Sequence, residues 1–250
     1  MCGIIAGDGR ASGGKYRGVA PECMLVCAKV LDEKGGGKLS HLLRGIEWII
    51  SLRKVLPIRL INLSIEVDDE VNLDKNQLAL LHKYMKELWK ENVIIVAAAG
   101  NSGPKPMSIS PIADAESCIC VGCFDEDYVE LGKRTCADYS GRGPGKQIPE
   151  TISLWNNPIK KPDLVAPGTD IMSCHYKTKY YMAKSGTSMA TPQVTGAIAL
   201  CLQKYPKMMN THIRRSLQMT AKDLGYNWGI QGAGMLQVDK LIENNMDKMT

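Results

Sequence analysis

Ser185-Gly186-Thr187-Ser188-Met189-Ala190-Thr191-Pro192 is the stretch that decides the reading of this 250-residue chain. It places a hydroxyl at the start of a helix. Gly186, Thr187 and Ala190 are small enough to let another backbone approach Ser188. Pro192 reads as a first-turn residue, where a missing N–H matters little. The apolar run from Val194 to Leu202 continues as a buried helix. A helix N-terminus favours nearby negative charge, which suits an acyl-transfer intermediate. Standing alone, the same residues also describe an ordinary Ser/Thr-rich helix cap.

With its surroundings, the segment resembles the serine-nucleophile signature G-T-S-M-A-x-P of the subtilisin-like serine proteases, the subtilase family. The nucleophile elbow G-x-S-x-G does not fit, because Ala190 replaces the second glycine; S-x-x-K does not fit, because Thr191 replaces the lysine. Val93-Ile94-Ile95-Val96-Ala97-Ala98-Ala99-Gly100-Asn101-Ser102-Gly103 is a β-branched run ending in small residues, a buried strand delivering Asn101 to a crowded loop. In the family the equivalent Asn donates its amide to the oxyanion. Tyr16 to Pro21, the expected strand Cys27-Ala28-Lys29-Val30-Leu31, Leu60-Ile61-Asn62-Leu63-Ser64, Tyr139 to Pro144, Lys161 to Gly168 and Gly232 to Leu236 extend the resemblance over nearly the whole chain.

The resemblance implies an α/β, three-layer subtilisin-like fold: one catalytic domain over residues 1–250, with a mostly parallel sheet and helices on both faces. It implies a serine-type endopeptidase acting through an acyl-enzyme on Ser188, with Asn101 as oxyanion donor. Leu63, Ser64 and Ile65 would pair with an extended peptide, and Ala98, Ala99 and Gly100 would wall the pocket before the scissile bond. Glu66 stands where the family usually has Gly. Two readings of it remain open: a preference for basic substrates, or a solvated side chain. Gln193 and Thr195 replace a frequent His and Ala.

A serine hydroxyl needs a base, and the base an orienting carboxylate. Subtilases supply them in the order Asp, His, Ser. Met1-Cys2-Gly3 matches the end of the family's H-G-T-x-x-[AC]-G, so the catalytic His and the D-[ST]-G strand are expected upstream. The fold is therefore expected to lack its N-terminal strand and the start of the His-bearing helix, and the chain to be inactive alone. His41, His82, His175 and His212 offer no substitute by motif. The alternative is a non-catalytic relative that binds peptides or regulates a partner. A peptide or protein is the expected partner, together with the missing N-terminal segment.

Composition is that of a globular chain with one core: 44% hydrophobic and 23% charged, with a mild net charge of +5. No basic run interleaved with aromatics points to nucleic acid, and no apolar run reaches the length of a membrane span. Nine cysteines, an odd number without regular spacing, argue against a disulfide framework. Cys118, Cys120 and Cys123 read better as small hydrophobes in a strand than as metal ligands. No metal or cofactor is expected, and Asp8–Tyr16 is too poor in carboxylates for a calcium loop. The cysteines, and the absence of a visible signal peptide, tilt the expected location toward the cytoplasm.

Periodicity predicts a helix remnant at Met1–Gly7 and helices over Leu39–Arg53 and Asp74–Asn92. A hairpin is expected around His175 and a C-terminal helix opened by His212, and the Pro, Gly and polar richness of Gly143 to Lys161 marks a surface insertion.

Overall fold

Alternation of buried side chains along three neighbouring strands organises the molecule. In a computed structural model, which describes residues 1–67, 73–125, 135–144 and 160–243, β1 (Leu60–Leu63), β2 (Ile94–Ala98), β3 (Ile119–Asp125) and β5 (Leu164–Pro167) lie side by side in parallel. Leu60 pairs with Ile94, Val96 with Ile119 and Val121 with Leu164. The short β4 (Thr135–Cys136) runs antiparallel to the end of β3. β6 (Ile171–Cys174) and β7 (Tyr181–Lys184) form the separate hairpin that contains His175.

Because successive side chains point to opposite faces, Ile61, Leu63, Ile95, Ala97, Ala99 and Cys120 pack to one side. There they meet α2 (Leu39–Leu52) and α3 (Lys75–Lys90), through Leu42, Leu43, Ile46, Leu81, Met85 and Leu88. Ile94, Val96, Ile119, Val121, Leu164 and Ala166 face the other way. They are covered by α4 (Thr187–Lys204), α5 (Asn210–Thr220) and α7 (Val238–Glu243). The result is the three-layer α/β arrangement with a largely parallel sheet. α1 (Cys2–Ala6) packs against α4, and α6 (Trp228–Gln231) lies beside β3. Asp74 starts α3 by accepting the Asn76 and Gln77 backbone N–H groups.

Three expectations need correction. Cys27–Leu31, expected as a strand from the resemblance, is not one; it lies outside both sheets. A strand needs a neighbour for its backbone groups, and among the described residues β1 is hydrogen-bonded to β2 alone. Pro192 lies beyond the first turn, as the sixth residue of α4, and so removes the N–H that would bond to the Ser188 carbonyl. Lys161 is no surface lysine. It is 2% exposed, with its ammonium donating to the Cys118 carbonyl at 2.8 Å and the Asp163 carboxylate at 3.1 Å. Burial disfavours that charge, but Asp163 outweighs it and holds the ammonium above the usual lysine range. Most of the expected insertion, 145–159, lies outside the described residues.

Cys118, Cys120, Cys123, Cys136 and Cys201 are buried, as small hydrophobes would be. Burial pushes the Cys123 thiol up to about 11 and the Cys136 thiol to about 12. Among the described residues, no helix is long and apolar enough to cross a membrane.

Candidate active site

The carboxyl ends of β1 and β2 and the N-terminus of α4 meet at one place, the kind of crevice where parallel sheets hold ligands. Gly186 precedes the helix with φ 144°, a region open chiefly to glycine, and its N–H is held by the Gly168 carbonyl at 2.9 Å. Ser188 is therefore set as the second residue of α4, on a turn braced by the end of β5. The Gln193 amide adds a bond of 2.6 Å to the Pro167 carbonyl.

Asn101 and the start of α4 are in direct contact, although 86 positions separate Asn101 from Thr187. Asn101 Oδ1 accepts the Thr187 N–H at 3.0 Å and the Thr187 hydroxyl at 3.3 Å. Thr187 is fully buried, and its hydroxyl oxygen also accepts the Gly100 N–H at 3.2 Å. Asn101 thus caps a helix distant in sequence by satisfying one of its unpaired first-turn donors. Gly100, at φ 94°, lets the chain turn there; a Cβ would stand 3.0 Å from Glu66 Oε1 and 3.2 Å from Ser110 Cβ.

The Ser188 hydroxyl donates to the Ser64 carbonyl at 3.3 Å. An amide oxygen cannot remove the hydroxyl proton at neutral pH, so this contact orients the serine without activating it. Behind it runs a polar chain that motif reading did not disclose. The Thr195 hydroxyl donates to Asn62 Oδ1 at 2.9 Å, and Asn62 Nδ2 donates to Ser64 Oγ at 2.9 Å.

Glu66 is not freely solvated. Its carboxylate accepts from the Asn101 backbone N–H at 2.6 Å, from the Asn101 side-chain amide at 2.8 Å and from the Ser102 hydroxyl at 3.3 Å. The amide expected to meet an oxyanion is thus bonded to a resident anion.

Among the expected groove residues, Ser64 and Ile65 are partly exposed, whereas Leu63, Ala98, Ala99 and Gly100 are buried and offer a ligand mainly backbone. Among the described residues, no histidine is a hydrogen-bond partner of Ser188. His175 Nδ1 is engaged within its own turn by Lys177 N–H and the Thr178 hydroxyl. His82 Nε2 contacts the Pro111 carbonyl at 2.9 Å, and burial lowers its pKa. His41 and His212 are exposed. No group of three or more His, Cys, Asp or Glu among the described residues is arranged to hold a metal.

The profile of the subtilase family (peptidase S8) matches residues 1–235. The serine protease AprX of Bacillus subtilis is 32% identical over 96% of this chain and 56% of its own length. The minor extracellular protease Epr of the same organism is 30% identical over 90% of this chain and 29% of its own. A solved structure described as S41 psychrophilic protease superposes with a TM-score of 0.77 at 27% identity, covering 95% of this chain and 75% of that one. The chain thus spans about half of AprX and less than a third of Epr. These relatives overturn the cytoplasmic expectation: they are proteases, and one is extracellular by name. The cysteine argument behind it also fails physically, because five of the nine thiols are core-filling groups whose burial is independent of redox compartment.

Proposed function

The chain belongs to the subtilase family, and we propose that it is the nucleophile-bearing part of a single serine-type endopeptidase domain. One observation carries this reading: Asn101 is bonded to Thr187, the residue next to Ser188, so nucleophile and amide donor share one turn of structure. Ser188 Oγ attacks the peptide carbonyl and forms the acyl-enzyme, while Asn101 donates to the carbonyl oxygen as it becomes an anion. Ser64 and Ile65, with the Leu63 backbone, pair with the extended substrate. Ala98, Ala99 and Gly100 back the pocket before the scissile bond.

The proton of Ser188 needs an imidazole, and that imidazole a carboxylate. Both are assigned to sequence preceding α1, where the family places the His motif. The chain without them is inactive. The test is hydrolysis of denatured protein by a polypeptide carrying this chain with its natural flanking sequence. S188A should abolish turnover; unchanged hydrolysis would overturn the proposal.

A second reading has its own support. Glu66 holds the Asn101 amide, and Ser188 is bonded to a carbonyl, which is the state of a groove that binds peptide without cleaving it. Peptide binding by the natural polypeptide with no turnover at any pH would favour it.

A further inference from the structure

Cys2 and Cys27 lie 25 positions apart, yet their sulfurs are 3.4 Å from each other, and both residues are exposed. They bring α1 next to a segment whose later residue Val30 packs on the α2 side of the sheet. Cys2 opens α1, whose Ile4 and Ile5 are buried. The carbonyls of Ile4 and Ile5 accept the Val19 and Ala20 N–H groups at 3.0 and 2.7 Å, which anchors the chain as far as residue 20. Beyond that point Met24, Leu25 and Val26 are 93%, 41% and 47% exposed, in a segment belonging to no sheet.

We propose that Cys2 and Cys27 are a disulfide-forming pair that staples this apolar strip to α1 under oxidising conditions. The distance is short enough for a small rotation of the two side chains to reach bonding separation. Selectivity comes from the surroundings. The five buried cysteines are shut away in the core and Cys23 is partly covered, whereas Cys2 and Cys27 are exposed and already adjacent; the Cys27 thiol is itself raised, chiefly by its contact with the Cys2 sulfur. Cys174 is the other exposed cysteine and so a competitor, its sulfur lying 3.0 Å from where a Cβ on Gly3 would stand.

With oxidised glutathione as oxidant, the Cys2 thiolate attacks one sulfur of the reagent and expels a glutathione thiolate. The Cys27 thiolate then attacks Cys2 sulfur and expels the second. The protein gives up two protons and two electrons; the reagent is reduced to two thiols. α1 packs on α4, so the bridge ties the loop to an element that rests on the helix carrying Ser188.

The test is equilibration of the chain with oxidised glutathione, followed by thiol counting in denaturant, intact mass and peptide mapping. The expected result is two fewer thiols, a mass lower by two hydrogens, and one peptide pair joining Cys2 to Cys27. Cleavage between Met24 and Leu31 by added thermolysin should slow, and return to the reduced rate in C27S. In C27S, Cys2 should retain glutathione as a mixed disulfide. Cys2 joined to Cys174, a disulfide-linked dimer, or both residues carrying separate glutathiones in the wild type would overturn the proposal.

Discussion

The Glu66 carboxylate clasps Asn101 at two points, Oε1 accepting its backbone N–H at 2.6 Å and Oε2 its side-chain amide at 2.8 Å. A second negative charge developing on an oxyanion beside that amide would be repelled, and the amide would have to be shared. The site is therefore charged against the intermediate it is proposed to stabilise. In the natural polypeptide, E66Q keeps an acceptor for the backbone N–H and removes the charge. Reaction of Ser188 with a fluorophosphonate should accelerate roughly tenfold, a scale that allows for screening at a partly exposed site. An unchanged or slower rate would show that the carboxylate does not oppose the chemistry.

Asn101 has a structural role separable from catalysis. Its Oδ1 takes two bonds from Thr187 at the start of α4. N101A should lower the stability of the chain by about 1–2 kcal/mol, the size of a lost helix cap with a buried donor left unpaired. Urea unfolding at low protein concentration measures this; an unchanged midpoint would remove Asn101 as a cap. In turnover, the loss reported for the equivalent donor in subtilisin is about 10²–10³-fold; that value belongs to that enzyme and is not worked out from this chain.

The buried thiols give the protein an alkaline weakness. Cys123 and Cys136 are pushed up to about 11 and about 12 in the fold, whereas an unfolded thiol ionises near 8.5. From about pH 8.5 the unfolded chain releases these protons first and the folded chain keeps them, so the unfolded state binds fewer protons and stability falls as pH rises. Below that point their contribution is constant. Unfolding midpoints should decline from about pH 9 upward, and the decline should be shallower in a C123A/C136A double variant. Equal slopes in both proteins would assign the alkaline loss to other groups.

Much of this was legible in the residues. Ile94–Ala98 read as a strand because a β-branched apolar run suits burial on both faces, Leu60–Leu63 was marked by resemblance, and α2 and α3 declared themselves by helical spacing; the packing of the strands between two helical layers came with the fold. Ser188 and Asn101 were marked by motif. The partners of polar side chains were not, because those depend on how loops distant in sequence close over one another. Nothing in Ser64-Ile65-Glu66 reveals that Glu66 reaches Asn101, or that Asn62 links Thr195 to Ser64. Cys27–Leu31 misled for a related reason: resemblance marked it as a strand, but pairing needs a neighbour. Lys161 misled because its buried charge is offset by Asp163 and a carbonyl that only the fold brings near.

The side of β1 away from β2 has no ladder partner among the described residues, and Met24, Leu25 and Val26 are exposed. An open edge is a template for pairing with another chain, and exposed apolar side chains add to the tendency to associate. The isolated chain should self-associate with rising concentration, followed by light scattering. A monomer at every concentration, with one cooperative thermal transition, would contradict this.

The central claim is that Ser188 is a correctly placed nucleophile lacking a base. Fluorophosphonate labelling of the folded chain, with mass mapping of the modified residue, tests it most directly. Labelling at Ser188 is predicted to remain at the level of S188A in the chain alone, and to appear in the polypeptide carrying its natural flanking sequence. Rapid labelling of Ser188 in the chain alone would mean that a base is already present, and would contradict the account.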